Sequence, residues 1–400
     1  MITIEKARET IVSRITPLPS EKIPLEQALG RYLAEDIVSQ MDIPSWNNSA
    51  MDGYAVRVTD IPHAGVRLGI AYEIPAGSLP QGPFPEGSAV KIMTGAPVPP
   101  GADAVVKRED TIESEGAVTV NIVPKKSDHI RFAGEDIAKG DLILQKGTLL
   151  EAAHIGLLAS LRRVMVLCSQ RPTVAIIATG NEVADLDEEL TENKIPSSNS
   201  STLTSLVRQL GAIPLYLGIA RDTKAGLRDK FEQASRADLI LTSGGVSMGD
   251  YDVVRDVMTE GANSVEFWQV RMKPGKPLAF GIINGIPAIG LPGNPVSTMT
   301  SFDQFARPAI LKFMGAQTLT LPRLKARLLE AVRGPGDRPH YLRGILKRCG
   351  DELCVVSTGP QGSGILSSMA RGNCYMIVPE GHRILEQGDL IECEVFHASW

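Results

Sequence analysis

Between Arg171 and Met314, apolar runs of strand length alternate with helical stretches. The runs are TVAIIAT, IPLYLGI, DLILTS, LAFGII and PAIGL. Strands that are apolar throughout and alternate with helices are typical of a parallel sheet covered on both faces. Such sheets bind ligands at the carboxyl ends of their strands. The pattern therefore predicts a central α/β domain with a parallel-type sheet and a binding site at one edge.

The flanking regions follow other patterns. Residues 3–14 predict an amphipathic helix with Thr3 as its N-cap, and PLEQALGRYLAED, starting at Pro24, predicts a second short helix. From about Trp46 to Asp136, short β-type runs among many Gly and Pro residues predict a β-rich domain. From about Leu319 to Trp400, short alternating segments separated by turn residues predict a small β-barrel or sandwich.

Length and composition limit the class of protein. A chain of 400 residues exceeds the usual single core of roughly 250–300 residues, so two to four domains are expected. Net charge is -5, which provides no global field for nucleic acid or an anionic membrane, so local basic groups must bind any anionic ligand. Five cysteines without CxxC or disulfide-rich spacing favour a reducing cytoplasm. The charged N-terminus does not predict a signal peptide, and no run of about 18 apolar residues predicts a spanning helix.

Polar turns follow four of the apolar runs. They are TGNE from Thr179, RDT from Arg221, SGGVSMGDYD from Ser243 and LPGNPVS from Leu291. Because parallel strands end at the same edge, we expect the turns to share one rim. Paired glycines after a strand let backbone N–H groups approach a phosphate or another oxyanion, although an ordinary strand-to-helix turn explains SGG equally well. The PGNP turn, with Ser297 in the first turn of the next helix, also suits an anion.

Carboxylates accompany these turns. Glu182, Asp222, Asp250 and Asp252 offer the hard oxygen ligands that Mg²⁺ prefers. The six histidines are scattered singly, so zinc-type ligation is not indicated. The sequence contains no Ser-His-Asp order, HExxH, Walker A loop or strand-end GxGxxG. These absences exclude several common enzyme classes on sequence grounds.

Three motifs precede the α/β region, and each has an ordinary structural explanation. Asp52 lies in NNSAMDGYA and is explained equally by a turn in which the side chain bonds its own backbone. Thr94 follows a predicted strand in MTGAP, where turn chemistry also suffices. Arg131 stands near Glu135 and Asp136 in HIRFAGEDI, and a solvated ion pair is the simpler interpretation.

Two lysines, Lys273 and Lys276, lie on the proline-stiffened loop KPGKP. Prolines limit the conformational entropy lost when both ammonium groups are held in place. Two such cations suit a doubly charged oxyanion or a phosphoanhydride. A surface charge pair is the alternative.

Taken in order with HYLRG and GPQGSGILSS, these motifs resemble those of the molybdopterin molybdenumtransferase family, which includes the C-terminal part of gephyrin. The resemblance covers essentially the whole chain. It implies insertion of molybdenum from molybdate into the dithiolene of adenylylated molybdopterin, with Mg²⁺-dependent cleavage of the adenylate and release of AMP. The residues that it implies for activity are Asp52, Thr94, Asp136, Glu182, Asp222 and Asp252, of which Asp222 and Asp252 would hold the metal. The residues that it implies for substrate or oxyanion binding are Arg131, Thr179, Gly180, Ser243, Gly244, Gly245, Ser247, Lys273, Lys276, Pro292, Gly293, Asn294, Pro295, Ser297, Arg343 and Ser363.

The resemblance also implies an organisation into four domains. The expected boundaries are an elongated linking and dimerisation domain (1–22, 38–45 and 138–168), a β-rich domain (23–37 and 46–137), the α/β domain (169–316) and a C-terminal β-barrel (317–400). Homodimers are implied, with the cleft between the α/β domain of one subunit and the β-rich domain of the other. Transient contacts with the adenylyltransferase that supplies the activated pterin, and with downstream molybdoenzymes, are further expectations.

One departure and three alternatives stay open at this point. Many relatives carry a lysine where this chain has Gln269, so one anion contact is in doubt. An adenylyltransferase, whose fold the α/β domain alone resembles, is the nearest enzyme alternative, and a tungsten-inserting protein of the same fold is another. A non-catalytic scaffold is the alternative from a different class.

Overall fold

The computed structural model describes residues 1–245, 253–260 and 263–397. Within them the chain divides into two compact units. One unit contains residues 1–35, 147–155 and 164–400, and the other contains residues 36–146 and 156–163. The predicted division into four domains stays a prediction.

The centre of the first unit is a mixed sheet. Its strands are β1 (Thr173–Thr179), β2 (Ile213–Ala220), β3 (Leu239–Ser243), β4 (Ser264–Gln269), β5 (Pro277–Ile283) and β6 (Ile286–Leu291). They lie in the order β2-β1-β3-β6-β5-β4. The pairs β1/β2, β1/β3 and β3/β6 are parallel, as the apolar runs predicted.

Strand β5 runs antiparallel to both of its neighbours, β6 and β4, which differs from a purely parallel sheet. The reason is a two-residue connection, Asn284-Gly285, whose φ angles of 49° and 82° form a tight hairpin turn. Asn-Gly is the strongest short hairpin signal, because both residues tolerate positive φ. The reversal has a consequence for the site. It brings the start of β5, and with it the KPGKP loop, to the edge where the parallel strands end.

Helices cover both faces of this sheet. Alternate residues of β1 separate into two cores: Val174 and Ile176 pack with the helix Ser198–Gln209, and Ala175 and Ile177 pack with the helix Lys224–Gln233. This alternation follows from the two-residue period of a strand. The remaining α-helices are Ile4–Ser13, Ala152–Ser160, Val253–Met258, Pro295–Ser301, Arg307–Phe313 and Leu366–Arg371, with a π-turn at Phe302–Ala306 and 3₁₀ turns at Leu25–Gln27, Val58–Asp60, Arg108–Asp110 and Ala234–Arg236.

Of the two N-terminal helix predictions, the first is confirmed and the second is wrong. Thr3 caps the Ile4–Ser13 helix by accepting the Lys6 N–H at 3.2 Å. The stretch from Pro24 forms only one 3₁₀ turn, Leu25–Gln27, because its later N–H groups bond other segments. Gly30, for example, has φ 73° and donates to Leu150 O at 2.8 Å.

The C-terminal segment forms a closed β-barrel, as predicted. Within the described residues its strands are Arg323–Leu328, His340–Cys349, Glu352–Ser357, Cys374–Val378 and Leu390–Val395. Buried polar contacts join the barrel to the α/β sheet. Tyr375 OH donates to Asp303 Oδ2 at 2.9 Å, and Arg307 Nε donates to Asp303 Oδ1 at 3.0 Å. The barrel strands are therefore held in a fixed position relative to the Pro295–Phe313 helical segment.

The second unit is β-rich, as the sequence predicted. Its main sheet has the order Ala104–Lys107, Gly53–Val56, Ser88–Ile92, Val66–Ile74, Ala117–Val120 and Thr111–Ser114. Short strand pairs complete both units: Ile37–Val38 with Leu142–Leu144 and Asn48–Ser49 with Ile130–Arg131 in this one, and Ser20–Pro24 with Met165–Ser169, Val183–Ala184 with Ile195–Pro196 and Val332–Arg333 with Ile384–Leu385 in the first. In neither unit does a helix of the described residues have the length and apolarity needed to cross a bilayer.

Candidate active site

A cleft of about 570 Å³ opens at the carboxyl edge of the α/β sheet. The predicted turns meet there, so the expectation of a shared rim is confirmed. Twelve predicted residues line the cleft: Thr179, Gly180, Glu182, Asp222, Ser243, Gly244, Gly245, Pro292, Gly293, Asn294, Pro295 and Ser297. Ser247 and Asp252, as well as Asp250, lie outside the described residues.

Glycine conformation shapes the SGG turn. Gly244 has φ 95°, and a Cβ built on it would lie 2.7 Å from Thr179 Oγ1 and 2.9 Å from Thr179 O. Only glycine fits such a close approach at positive φ. The Gly244 N–H donates to Leu291 O at 3.0 Å, so this N–H is used within the protein and does not serve an anion. At Gly244 the turn therefore contributes shape to the cleft and no free backbone donor.

Asp222 is held between two of the loops. Asn181 N–H donates to Asp222 Oδ2 at 3.1 Å, and Asp222 N–H donates to Asn181 Oδ1 at 3.2 Å. Thr223, the next residue, caps the Lys224–Gln233 helix by accepting the Gly226 N–H at 3.1 Å. Among the described residues these bonds use one carboxylate oxygen of Asp222, and the other takes no hydrogen bond from them.

Glu182 is the second carboxylate of the cleft. Its side chain is exposed and turns back over Gly180, where an added Cβ would lie 2.7 Å from both carboxylate oxygens. Among the described residues that line the cleft, Glu182 and Asp222 carry the only charges. Both carboxylates offer oxygen ligands that suit a hard cation bound at the same time to a phosphate.

Sequence reasoning missed part of the lining. The missed residues are Ala178, Val183, Ile195, Pro196, Ser197, Ser198, Asn199 and Pro277. Five of the eight lie at positions 195–199, which lead into and begin the Ser198–Gln209 helix, and Ile195–Pro196 pairs there in parallel with Val183–Ala184. The short polar stretch PSSNS before an amphipathic helix was the available signal. Asn199 makes the most informative contacts of this set, since its Nδ2 lies 2.8 Å from both Ser243 Oγ and Gly293 O.

A buried arginine lies in the adjoining barrel. Arg343 is fully buried, its Nε donates to Ser368 Oγ at 2.9 Å and its Nη2 donates to Gly362 O at 3.0 Å. Its Nη1 has no hydrogen-bond partner among the described residues, and no acidic side chain pairs with it there. Burial lowers the pKa of Arg343. An unpaired donor on a buried cation is costly unless a ligand satisfies it.

The loop that receives Arg343 Nη2 also reaches the cleft. Ser363, next to Gly362, accepts the Val296 N–H through its carbonyl oxygen at 3.0 Å. Val296 is the second residue of the helix whose start, at Pro295 and Ser297, lines the cleft. One N–H of this predicted anion-binding helix start is therefore used by the protein, and the cleft and the arginine are separated by a single loop.

The KPGKP loop bonds the start of the strand that carries Arg343. Lys273 N–H donates to Pro339 O at 3.0 Å, and Tyr341 N–H donates to Lys273 O at 2.8 Å. The side chains of Lys273 and Lys276 are exposed, and Pro277, at the end of the loop, lines the cleft. His340 lies near two of these cations. Burial, together with the charges of Lys273 and Arg343, lowers the pKa of His340 to about 4.

The remaining predicted residues lie in the β-rich unit. Asp52 Oδ1 accepts both the backbone N–H and the hydroxyl of Thr94, each at 2.7 Å. These two bonds hold the pKa of Asp52 below its ordinary value. The partners are 42 residues apart, so the interpretation of Asp52 as a local turn residue is wrong. The pair joins the NNSAMDG and MTGAP motifs.

The RFAGEDI motif lies on the same unit. Arg131 pairs with Asn48 on the neighbouring short strand, and the Asp136 N–H donates to Ile43 O at 3.1 Å. Glu135 accepts the Phe132 N–H at 2.8 Å, so in the described structure it caps a turn and is not paired with Arg131. Arg131 and Asp136 are therefore placed on the unit that carries Asp52 and Thr94.

Comparisons with known proteins agree along the whole chain. Residues 2–161 match the model of the MoeA N-terminal region (domain I and II), residues 175–312 match the probable molybdopterin binding domain, and residues 325–396 match the MoeA C-terminal region (domain IV). These matches define a multidomain protein built around a molybdopterin-binding type of α/β domain.

Full-length relatives specify the family. The chain is 36% identical to a molybdopterin molybdenumtransferase of Haemophilus influenzae over 99% of both chains, and 33% identical to one of Staphylococcus epidermidis over 98% of this chain and 94% of the other. Two solved structures of the molybdopterin biosynthesis MoeA protein of Pyrococcus horikoshii are 32% and 29% identical, with TM-scores of 0.84 and 0.85 over at least 99% of each chain. The chain belongs to the molybdopterin molybdenumtransferase family, whose members are transferases of molybdenum cofactor biosynthesis. The resemblance read from the motifs is confirmed.

Proposed function

We propose that the protein inserts molybdenum from molybdate into the dithiolene of adenylylated molybdopterin. The adenylate is cleaved in the process, AMP is released, and molybdenum cofactor is the product. The observation that carries the proposal is the buried Arg343 guanidinium, whose Nη1 has no partner among the described residues and whose loop bonds the helix at the cleft.

Arg343 supports binding of the oxyanion. A buried charge requires a partner of opposite sign or a set of hydrogen bonds, and here two of the three guanidinium nitrogens are satisfied by neutral groups. A dianion such as molybdate would satisfy the third and neutralise the charge. The exposed ammonium groups of Lys273 and Lys276, with the nearby Ser363 loop, would complete a subsite that attracts dianions.

The cleft supports binding of the activated pterin. Its volume suits a ligand of nucleotide size, because small-molecule sites typically measure roughly 300–1,000 Å³. Thr179, Ser243 and the glycine turns provide hydroxyl groups and close backbone approach. In this proposal water attacks the adenylate phosphorus, the phosphoanhydride P–O bond breaks, and the pterin phosphate leaves while AMP retains the oxygen from water.

The donor set of the cleft fits Mg²⁺. In the part of the chain that the structure describes, one carboxylate oxygen of Asp222 takes no hydrogen bond, and Glu182 lies on the adjoining loop. Among the described residues no cluster of three or more His, Cys, Asp or Glu forms a closed metal cage. Mg²⁺ is commonly held by one or two carboxylates together with substrate phosphates, so an open donor set agrees with it. When bound, the ion would neutralise negative charge on the phosphoanhydride. Asp222 would hold it, with Asp252 as the second ligand that the family resemblance implies.

The β-rich unit has a separate role in the proposal. The resemblance implies a homodimer in which Asp52, Thr94, Arg131 and Asp136 of one subunit act at the cleft of the other. Mixing an Asp52→Ala subunit with an Asp222→Ala subunit tests this arrangement. If sites are shared, mixed dimers regain up to about one quarter to one half of wild-type activity, whereas sites built from a single subunit regain none.

A reconstitution assay tests the function as a whole. Purified protein is mixed with adenylylated molybdopterin and Mg²⁺, with and without molybdate, and AMP and molybdenum cofactor are measured. The proposal predicts AMP release and cofactor that activates an apo-molybdoenzyme when molybdate is present. Absence of both products in folded protein under both conditions contradicts it. Parallel reactions with tungstate, and with ATP plus molybdopterin, distinguish the tungsten-inserting and adenylyltransferase alternatives.

A further inference from the structure

Asn199 connects two loops of the cleft, although no sequence motif singled it out. It is the second residue of the Ser198–Gln209 helix and is half-buried. Its Nδ2 lies 2.8 Å from Ser243 Oγ, at the end of β3, and 2.8 Å from Gly293 O, in the PGNP turn after β6. The two loops also lie close together, because a Cβ added to Gly293 would be in van der Waals contact with the Gly244 Cα, 3.6 Å away.

The carbonyl of Gly293 determines how the Asn199 amide is oriented. A carbonyl oxygen only accepts hydrogen bonds, so the Asn199 atom that faces it must be the nitrogen. The reversed amide would place two oxygens 2.8 Å apart. The same nitrogen has a second N–H, which is donated to the Ser243 hydroxyl. Both donors of the amide are therefore committed to the two loops.

This arrangement decides what the Ser243 hydroxyl can do. Ser243 Oγ accepts from Asn199, so its single proton is left to donate. Among the described residues this hydroxyl donates no hydrogen bond, and Ser243 itself is buried at the cleft wall. The Ser243 hydroxyl thus presents a donor to a ligand in the cleft.

We propose that Asn199 is a positioning residue that ties the SGG turn to the PGNP turn and directs the Ser243 hydroxyl proton into the cleft. There the proton meets an oxygen of the bound adenylylated molybdopterin. The inference rests on the proposed function for the identity of the ligand. It adds a residue and a direction of hydrogen bonding that the motifs did not supply.

A double-mutant cycle tests the inference. The variants are Asn199→Ala, Asn199→Asp, Ser243→Ala and the Asn199→Ala/Ser243→Ala double variant, each measured for adenylylated molybdopterin affinity by calorimetry and for melting temperature. Loss of one hydrogen bond predicts about tenfold weaker binding for Ser243→Ala. Because Asn199 acts through Ser243, the double variant should bind with about the same affinity as whichever of Asn199→Ala and Ser243→Ala has the lower affinity. Asn199→Asp keeps the size of the side chain but accepts the Ser243 proton, so it should bind more weakly than Asn199→Ala.

The outcomes separate this inference from the proposed function. If the two single losses multiply in the double variant, or if the isosteric Asn199→Asp binds like wild type, Asn199 is a packing residue and the inference is wrong. If wild-type protein itself fails to bind adenylylated molybdopterin, the proposed function fails instead. Asn193→Asp is the control. Asn193 is exposed on the loop before the helix, and this substitution introduces the same negative charge there. It should bind like wild type.

Discussion

Two regions of one unit hold their charged side chains in different ways. At the cleft, Glu182 and Asp222 are exposed carboxylates on loops, and one oxygen of Asp222 has no hydrogen-bond partner within residues 1–245, 253–260 and 263–397. In the barrel, Arg343 is fully buried on a strand and fixed by two neutral acceptors. The exposed carboxylates remain hydrated without a ligand, whereas the buried guanidinium has already lost its water. Under the proposed function, the Arg343 guanidinium is therefore preorganised for an anion, whereas the cleft acquires its electrostatic character from what binds there.

The largest effect on molybdate affinity should follow from removing the buried charge. In Arg343→Gln, molybdate affinity should fall at least about thirtyfold, because loss of one partner of a buried charge pair typically costs 2 kcal/mol or more. Titration calorimetry with molybdate measures it, and the melting temperature shows whether the variant is folded. Arg348→Gln is the control, since Arg348 lies on the same strand but is exposed. Equal losses in the two variants, or no loss in folded Arg343→Gln, would contradict the comparison.

At the cleft, the expected loss is in turnover and not in molybdate affinity. Asp222→Asn keeps an oxygen that accepts the Asn181 N–H, so the loops stay in place while the charge is lost. AMP release should fall by about a hundredfold, within the usual range for loss of a catalytic carboxylate. Molybdate affinity should be unchanged, because this side chain is not part of the Arg343 site. Asp229→Asn, on the adjoining helix, should change neither quantity.

The shape of the cleft provides a third prediction. Gly244→Ala combines positive φ with a clash against Thr179, so its free energy of unfolding should fall by about 1–3 kcal/mol and pterin affinity should fall with it. Gly350→Ala is the matched control, because Gly350 has φ 64° and open space around its Cα. The difference between the two variants in urea denaturation isolates the steric contribution. Equal losses would mean that backbone conformation alone accounts for the glycine.

The smallest effect concerns His340. Its pKa is lowered in the folded state from 6.5 to about 4, so the folded protein disfavours protonation. The contribution of neutral His340 to the free energy of unfolding is therefore fully present above about pH 6.5, and it is lost as the pH falls toward 4. His340→Asn should flatten this decline in urea midpoints measured between pH 7 and pH 5. Molybdate bound beside Arg343 would raise the pKa of His340. An NMR titration in which the pKa of His340 does not change at saturating molybdate would contradict binding beside Arg343.

Much of this arrangement was predictable from sequence because local rules determine it. Apolar runs defined the parallel strands, and the turns that follow them had to meet at one edge. The Asn284-Gly285 dipeptide is also visible in the sequence, and its hairpin turn accounts for the reversal of β5. Asn199 and the burial of Arg343 were not predictable from local pattern. Their significance depends on which distant carbonyl or hydroxyl lies 2.8–3.0 Å away, and such contacts arise only when separate loops pack together.

The claim that the Arg343 guanidinium binds the metal oxyanion is tested most directly by anomalous diffraction at the molybdenum edge. Crystals of wild-type protein soaked in molybdate should show an anomalous peak within hydrogen-bond distance of Arg343 Nη1, and crystals of Arg343→Gln should lack it. A peak that persists in the variant, or wild-type crystals whose molybdate binds away from this guanidinium, would contradict the account.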